Sequence, residues 1–241
     1  MRAFNNWFCL VAVTFQLTAA AADSVWQRVV VIGASASGGF VLSEPFGGTN
    51  TDNCKLNRYL DAAIAARHAP LKNLATAMLF MSPEAIAAQE IEAVTNTQPT
   101  LVIGVDFLFW FCYGAGRTDA ERASRFEYGL KLLDQIPCPL VVGDIPDASA
   151  ATNSGIIGVA QVPSETARAA ANKRLRAWAA MHPQVSIVPL ANFMRAAAAD
   201  EAIQITRLAL HAGKTRVLLQ EDQLHPNPHG AAVLSLGILD A

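Results

Sequence analysis

The chemistry this sequence can support is concentrated in two short stretches. Gly33-Ala34-Ser35-Ala36-Ser37-Gly38-Gly39-Phe40 follows an apolar run near the start, and Glu221-Asp222-Gln223-Leu224-His225-Pro226-Asn227 stands near the end. A serine hydroxyl is a poor nucleophile until a base takes its proton, and histidine suits that task near neutral pH. A carboxylate must then hold the imidazole in the right tautomer. Asp222 and His225 are three residues apart, just ahead of a predicted helix over 230–238, and a turn brings side chains at that spacing into contact. Ser35 has small neighbours that leave room for a substrate, and its own N–H can meet developing negative charge if a helical turn follows. Each stretch also has a plainer reading: a tight strand-to-helix turn packed with small residues, and a polar loop with an aspartate as helix cap. His229 lies further from an acid and reads as a bystander or substrate contact; His68, His182 and His211 read as surface residues.

Elements that would position these residues are legible in the hydrophobic pattern. β-branched runs at 28–32, 101–103, 140–142 and 185–188 end at Gly33, Gly104, Gly143 and Pro189, and read as fully buried strands. Helical patterns at 55–67, 83–94, 119–135 and 164–181 lie between them, with Ser82 and Ser164 as N-caps and Pro83 at a first helical position. Strands alternating with helices of this length imply a three-layer α/β/α sandwich with a mainly parallel central sheet. Ligands gather at the carboxyl ends of the strands in such a sheet, which is where Ser35 falls.

A strand, a glycine-rich turn and a helix also describe a dinucleotide site. The G-x-G-x-x-G pattern is not matched, no acid closes a clear second strand, and Tyr128 and Lys131 are one residue too close for a Tyr-x-x-x-Lys pair. The nucleophile elbow G-x-S-x-G fails because Ser37 takes the place of its last glycine.

Together these pieces resemble the SGNH (GDSL-like) hydrolase family. That family carries a G-D-S-x-[ST] block after the first strand, a G-x-N-D block after a middle strand and D-x-x-H-P near the C-terminus. Here the blocks read Gly33-Ala34-Ser35-Ala36-Ser37, Gly104-Val105-Asp106-Phe107 and Asp222-Gln223-Leu224-His225-Pro226, in the same order. The resemblance implies an SGNH/flavodoxin-like fold and hydrolysis of esters or thioesters through an acyl-enzyme, with no cofactor and no metal. Ser35 would be the nucleophile, His225 the base and Asp222 the acid that orients it. The oxyanion hole would use the Ser35 N–H, Asp106 and, counting from Asn73, the backbone N–H of Met78.

Three departures stand out. Ala34 replaces the Asp beside the nucleophile. No glycine occurs between Gly48 and Gly104 to serve the second block. Asp106 stands where the family uses Asn, and an ionised carboxylate cannot donate a hydrogen bond. It would repel an oxyanion by about 4 kcal/mol at about 4 Å with an effective dielectric near 20, close to a thousandfold loss in rate. Asp106 is therefore expected to be protonated, turned away or employed otherwise; a buried neutral acid can donate to an oxyanion, and the aromatics around it would favour that state. Phe107, Phe109 and Trp110 are expected to wall a substrate pocket, the alternative being plain core packing.

Bulk properties narrow the field further. The 241 residues suit one compact domain; 52% are hydrophobic, 16% charged, and the formal net charge is −2. No basic stripe points to nucleic acid. Arg2, the apolar run from Trp7 to Val13 and the small residues Ala19 to Ala22 describe a secretory signal over 1–22, removed near Ala22, ahead of a single hydrolase domain over 23–241. The mature chain is then expected to be periplasmic or secreted, without a stable membrane span, acting on a small-molecule, glycan or lipid ester. Beyond the signal stand Cys54, Cys112 and Cys138, which allow at most one internal disulfide. A non-catalytic binding protein on the same fold, and a nucleotide-cofactor oxidoreductase, are the alternative functions.

Overall fold

The computed structural model describes residues 24–241. The expected signal segment lies outside these residues, apart from which the elements follow in the order β1 (Val29–Val31), α1 (Ser35–Gly38), α2 (Thr49–Cys54), α3 (Leu56–Ala63), β2 (Lys72–Asn73), α4 (Pro83–Thr95), β3 (Leu101–Gly104), α5 (Phe109–Cys112), α6 (Asp119–Leu133), β4 (Leu140–Gly143), α7 (Glu165–Ala179), β5 (Val185–Val188), α8 (Leu190–Ala199), β6 (Ile203–Ile205), β7 (Leu208–Leu210) and α9 (Pro228–Asp240).

Five strands form one parallel sheet in the order β2-β1-β3-β4-β5. The three central strands β1, β3 and β4 are buried at every position, as the unbroken β-branched runs require. Right-handed crossovers send the helix between β1 and β2 to one face and those leading to β3, β4 and β5 to the other. Accordingly α3 packs on α9, while α4 packs on α6 and α6 on α7. The sandwich expected from the sequence is thus the architecture, with a sheet that is wholly parallel.

Strand order reverses between β1 and β3, since the chain leaves β1 towards β2 and leaves β3 towards β4. Their carboxyl ends splay apart there and open a crevice. Ser35 follows β1 and Asp106 follows β3, so the topology delivers both to this switch point.

Several boundaries differ from expectation. The helix predicted over 55–67 ends at Ala63. Ser82 occupies the N-cap of α4 without a capping side-chain bond, whereas Ser164 accepts the Ala167 N–H. Strand β2 and the β6–β7 hairpin have no counterpart in the sequence reading. The first is two polar residues on the sheet edge; the second covers a small separate cluster around Ile203 and Val233. Cys54, Cys112 and Cys138 are all free thiols. Among the described residues no helix is long and apolar enough to cross a membrane, and no group of three His, Cys, Asp or Glu is placed to hold a metal.

Candidate active site

The chain leaves β1 through Gly33 and turns directly into α1, whose first residue is Ser35. Gly33 has φ +131°, and a Cβ there would lie 2.2 Å from Asp106 Oδ1, so only glycine fits. Asp106 is buried and accepts four hydrogen bonds. The Ala34 N–H reaches Oδ1 at 3.1 Å, the Ala36 and Ser37 N–H groups reach Oδ2 at 2.9 and 3.1 Å, and the Ser37 hydroxyl reaches Oδ1 at 2.6 Å. The Gly33 N–H goes to Glu90 Oε2 at 3.0 Å. Of the five N–H groups from Gly33 to Ser37, the Ser35 N–H alone makes no hydrogen bond among the described residues. A side chain missed in the sequence steadies the turn from the other side: Asn73 Nδ2 donates to the Ser37 carbonyl at 3.1 Å.

This arrangement corrects the expected role of Asp106. Both its oxygens are taken by donors in the β1–α1 turn, so it is an acceptor that shapes the turn rather than a donor facing away from it.

The second stretch forms a closed loop. The Gln220 N–H donates to the His225 carbonyl at 2.8 Å, and Gln220 Nε2 donates to the Phe40 carbonyl at 2.8 Å, tying the loop to the end of the Ser35 turn. Asn227 caps α9 by accepting the Gly230 N–H. Within the loop Asp222 Oδ1 accepts the N–H groups of Leu224 and His225, both at 3.0 Å. Asp222 Oδ2 lies 2.7 Å from His225 Nδ1, and His225 Nε2 lies 2.8 Å from Ser35 Oγ. The Phe40 ring rests against the imidazole, centroids 4.7 Å apart. Asp222 and His225 are only 4% and 3% exposed, while Ser35 is half-buried and open to the crevice. Burial pushes the Asp222 carboxyl up, but the hydrogen bond and charge of His225, with the two backbone N–H groups, outweigh it and hold the group below its ordinary value.

The remaining histidines are elsewhere: His182 lies tilted against Trp178 and pairs with Asp134, His68 sits near Asp61, and His211 and His229 are exposed. Asp144 accepts the Ala191 N–H and Asp147 the Ser149 N–H, so both serve turns and caps.

Met78 lies near the serine, in a short 3-10 turn Ala77–Phe80, but its N–H already donates to Thr76 Oγ1 at 3.2 Å. The Ala77 N–H makes no hydrogen bond among the described residues. A Cβ on Gly38 would lie 3.5 Å from that nitrogen, which places it against the Ser35 turn. The free N–H at this edge therefore belongs to Ala77, one residue before the one expected.

Two apolar cavities meet at Ser35, Leu224 and His225. One is a narrow slot of about 40 Å³ lined by Phe109, Leu190, Met194 and Leu234, enough for a few atoms. The other is a groove of about 330 Å³ walled by Phe40, Phe46, Phe80, Trp110 and Ile156, in the size range of small-molecule sites. Of the three aromatics expected to wall a substrate pocket, Phe109 lines the slot and Trp110 the groove. Phe107 does not: it is fully buried against Phe111, because the turn after β3 points it into the core.

No family model matches the chain, and no curated protein matches it. Among solved structures, the lipase/acylhydrolase from Enterococcus faecalis superposes with a TM-score of 0.60 over 88% of this chain and 94% of that one, at 18% identity. TesA superposes with a TM-score of 0.52 over 88% of this chain and 96% of that one, at 14% identity. This chain has the SGNH hydrolase fold. Within that SGNH fold, Ser35 from the β1 edge meets Asp222 and His225, from the loop before α9 and some 190 residues on, at the sheet's switch point. Asp106, on the β3 edge, holds the turn that presents Ser35.

Proposed function

We propose that the chain is a serine hydrolase of carboxylic esters that works through an acyl-enzyme. The observation that carries this reading is the unbroken line from Asp222 Oδ2 through His225 to Ser35 Oγ, with steps of 2.7 and 2.8 Å. Ser35 Oγ attacks the acyl carbon as His225 Nε2 takes its proton, and Asp222 orients the imidazole and stabilises its charge. The oxyanion that forms meets the Ser35 and Ala77 N–H groups, which have no hydrogen-bond partner among the described residues. Collapse expels the alcohol, protonated by His225, and water repeats the sequence to release the acid.

The two cavities support a substrate with one modest apolar group in the aromatic groove and little bulk on the slot side. A small-molecule or lipid ester fits that description better than a glycan, because the groove walls are almost wholly apolar. Release of p-nitrophenol from a series of esters with growing acyl chains tests the proposal. Activity on short to medium chains that vanishes in Ser35→Ala is the expected result; full activity in Ser35→Ala would overturn it.

The basic, apolar and small-residue order of residues 1–22 supports export, so the mature chain is proposed to act in the periplasm or outside the cell. N-terminal sequencing of the mature protein from fractionated cells tests this. A start near Asp23 is expected, and an intact Met1 in the cytoplasmic fraction would refute it.

A further inference from the structure

Glu90 takes no part in the steps above, yet it is buried against the turn that carries them out. It lies on the face of α4 that also buries Ala87, Ile91 and Val94, a stripe at helical spacing in which an acid is out of place. Glu90 is 5% exposed. Its Oε2 accepts the Gly33 N–H at 3.0 Å, and its Oε1 has no hydrogen-bond partner among the described residues. Asp106 grips the same turn from the other side, taking the N–H groups of Ala34, Ala36 and Ser37. The two acids therefore hold every N–H from Gly33 to Ser37 except that of Ser35, with Gly33 between them.

We propose that Glu90 is a positioning residue for Ser35, which fixes the start of the nucleophile turn in its protonated form and disturbs that turn when the proton is lost. The inference rests on the serine hydrolase reading given above. Two buried carboxylates against one short turn repel each other in a medium that screens poorly, so one of them must stay neutral for the turn to hold. Asp106, with four donors on its oxygens, is the one whose charge is compensated. Glu90 accepts one hydrogen bond, from the Gly33 N–H, and its Oε1 accepts none among the described residues. Burial first, and then the charge of Asp106, push the Glu90 carboxyl up to about 8, against the opposing pull of the Gly33 and Thr76 backbone.

No other group takes over this pairing. The β1–α1 turn brings no charged side chain; its Ser37 hydroxyl is bonded to Asp106 and its Ser35 hydroxyl to His225. The 3-10 turn before α4 brings no titratable side chain. From α6, Arg125 is bonded to Glu84 at the start of α4, and Arg122 to the Cys112 carbonyl. On α5 the Cys112 thiol is itself pushed up to about 11 by burial.

The test is the pH dependence of kcat/KM on a short p-nitrophenyl ester, and of the fluorophosphonate labelling rate, from pH 6 to 10. Wild type, Glu90→Gln and Ser35→Ala are compared. Wild type is expected to lose about tenfold between pH 7 and pH 9, as a single ionisation near 8 requires. Glu90→Gln, neutral at every pH, is expected to lose that fall whatever its rate at pH 7. A merely structural role would change the rate but leave the shape of the profile. A wild-type profile that stays flat to pH 10 overturns the inference without any variant, and so does a Glu90→Gln profile that falls like wild type. Activity that survives Ser35→Ala overturns the nucleophile assignment and the inference together; activity lost in Ser35→Ala beside an unchanged Glu90→Gln profile overturns the inference alone.

Discussion

Asp106 Oδ1 accepts the hydroxyl hydrogen bond of Ser37 at 2.6 Å, so Asp106 faces the turn that carries Ser35 as an acceptor. The consequence for substitution is opposite to that of a donor role. In Asp106→Asn one oxygen becomes an NH₂ group set against N–H donors, and at least one buried backbone N–H is left unpaired. The variant is expected to lose at least about tenfold in kcat/KM and about 1–3 kcal/mol of stability. Steady-state kinetics beside thermal melting check this. An Asn variant as active as wild type, or more so, would return Asp106 to the oxyanion hole.

Ala77→Pro removes the free N–H at the edge of the groove and little else. Proline is tolerated at a first helical position, and Thr76 is extended, with φ −134° and ψ 134°, as a residue before proline prefers. A fall of about 10²–10³ in kcat with a nearly unchanged melting temperature is expected. Unchanged kcat would shift the donor role to the Met78 N–H.

Asp222→Asn keeps the shape of the loop but removes the charge beside His225 Nδ1 and favours the wrong imidazole tautomer. A loss on the order of 10⁴ in kcat is expected, with folding intact by circular dichroism. A loss of only a few-fold would mean that His225 is oriented by the Phe40 contact and the Gln220 hydrogen bond instead.

Stability should report the Glu90 proton independently of catalysis. Glu90 rises from its ordinary 4.5 to about 8 on folding, so the folded chain holds a proton that the unfolded chain gives up. That contribution is fully present below about pH 4.5 and is lost as pH rises to about 8. Measured against Glu90→Gln, the wild-type melting temperature should fall across this window and level off above it. A difference that does not change with pH would contradict the buried neutral acid.

What the sequence revealed and what it hid divide along physical lines. The central strands were legible because burial on both faces demands β-branched runs, and the runs ended at glycines. Ser35 and the Asp222–His225 pair were legible because residue type, spacing and place after a strand coincided. β2 was not, since Lys72 and Asn73 lie on the sheet edge and carry no apolar signal. Asp106 was visible as an anomaly, but its partners are backbone N–H groups some seventy residues away, which no side-chain pattern encodes. The same holds for the choice between Ala77 and Met78, which turns on a local Thr76 hydrogen bond. Phe107 was misplaced because an aromatic run does not say which ring faces inward. Glu90 did leave a trace: an acid at the i+3 position of an apolar helical stripe, Ala87, Glu90, Ile91 and Val94.

The line from Asp222 through His225 to Ser35 is tested most directly by covalent labelling. Purified protein treated with a fluorophosphonate between pH 5 and 9 should carry one adduct, located by mass spectrometry on Ser35, and His225→Ala should label far more slowly. Absence of label on Ser35 across that range, or an equal yield of adduct in Ser35→Ala, would contradict the assignment of Ser35 as the nucleophile.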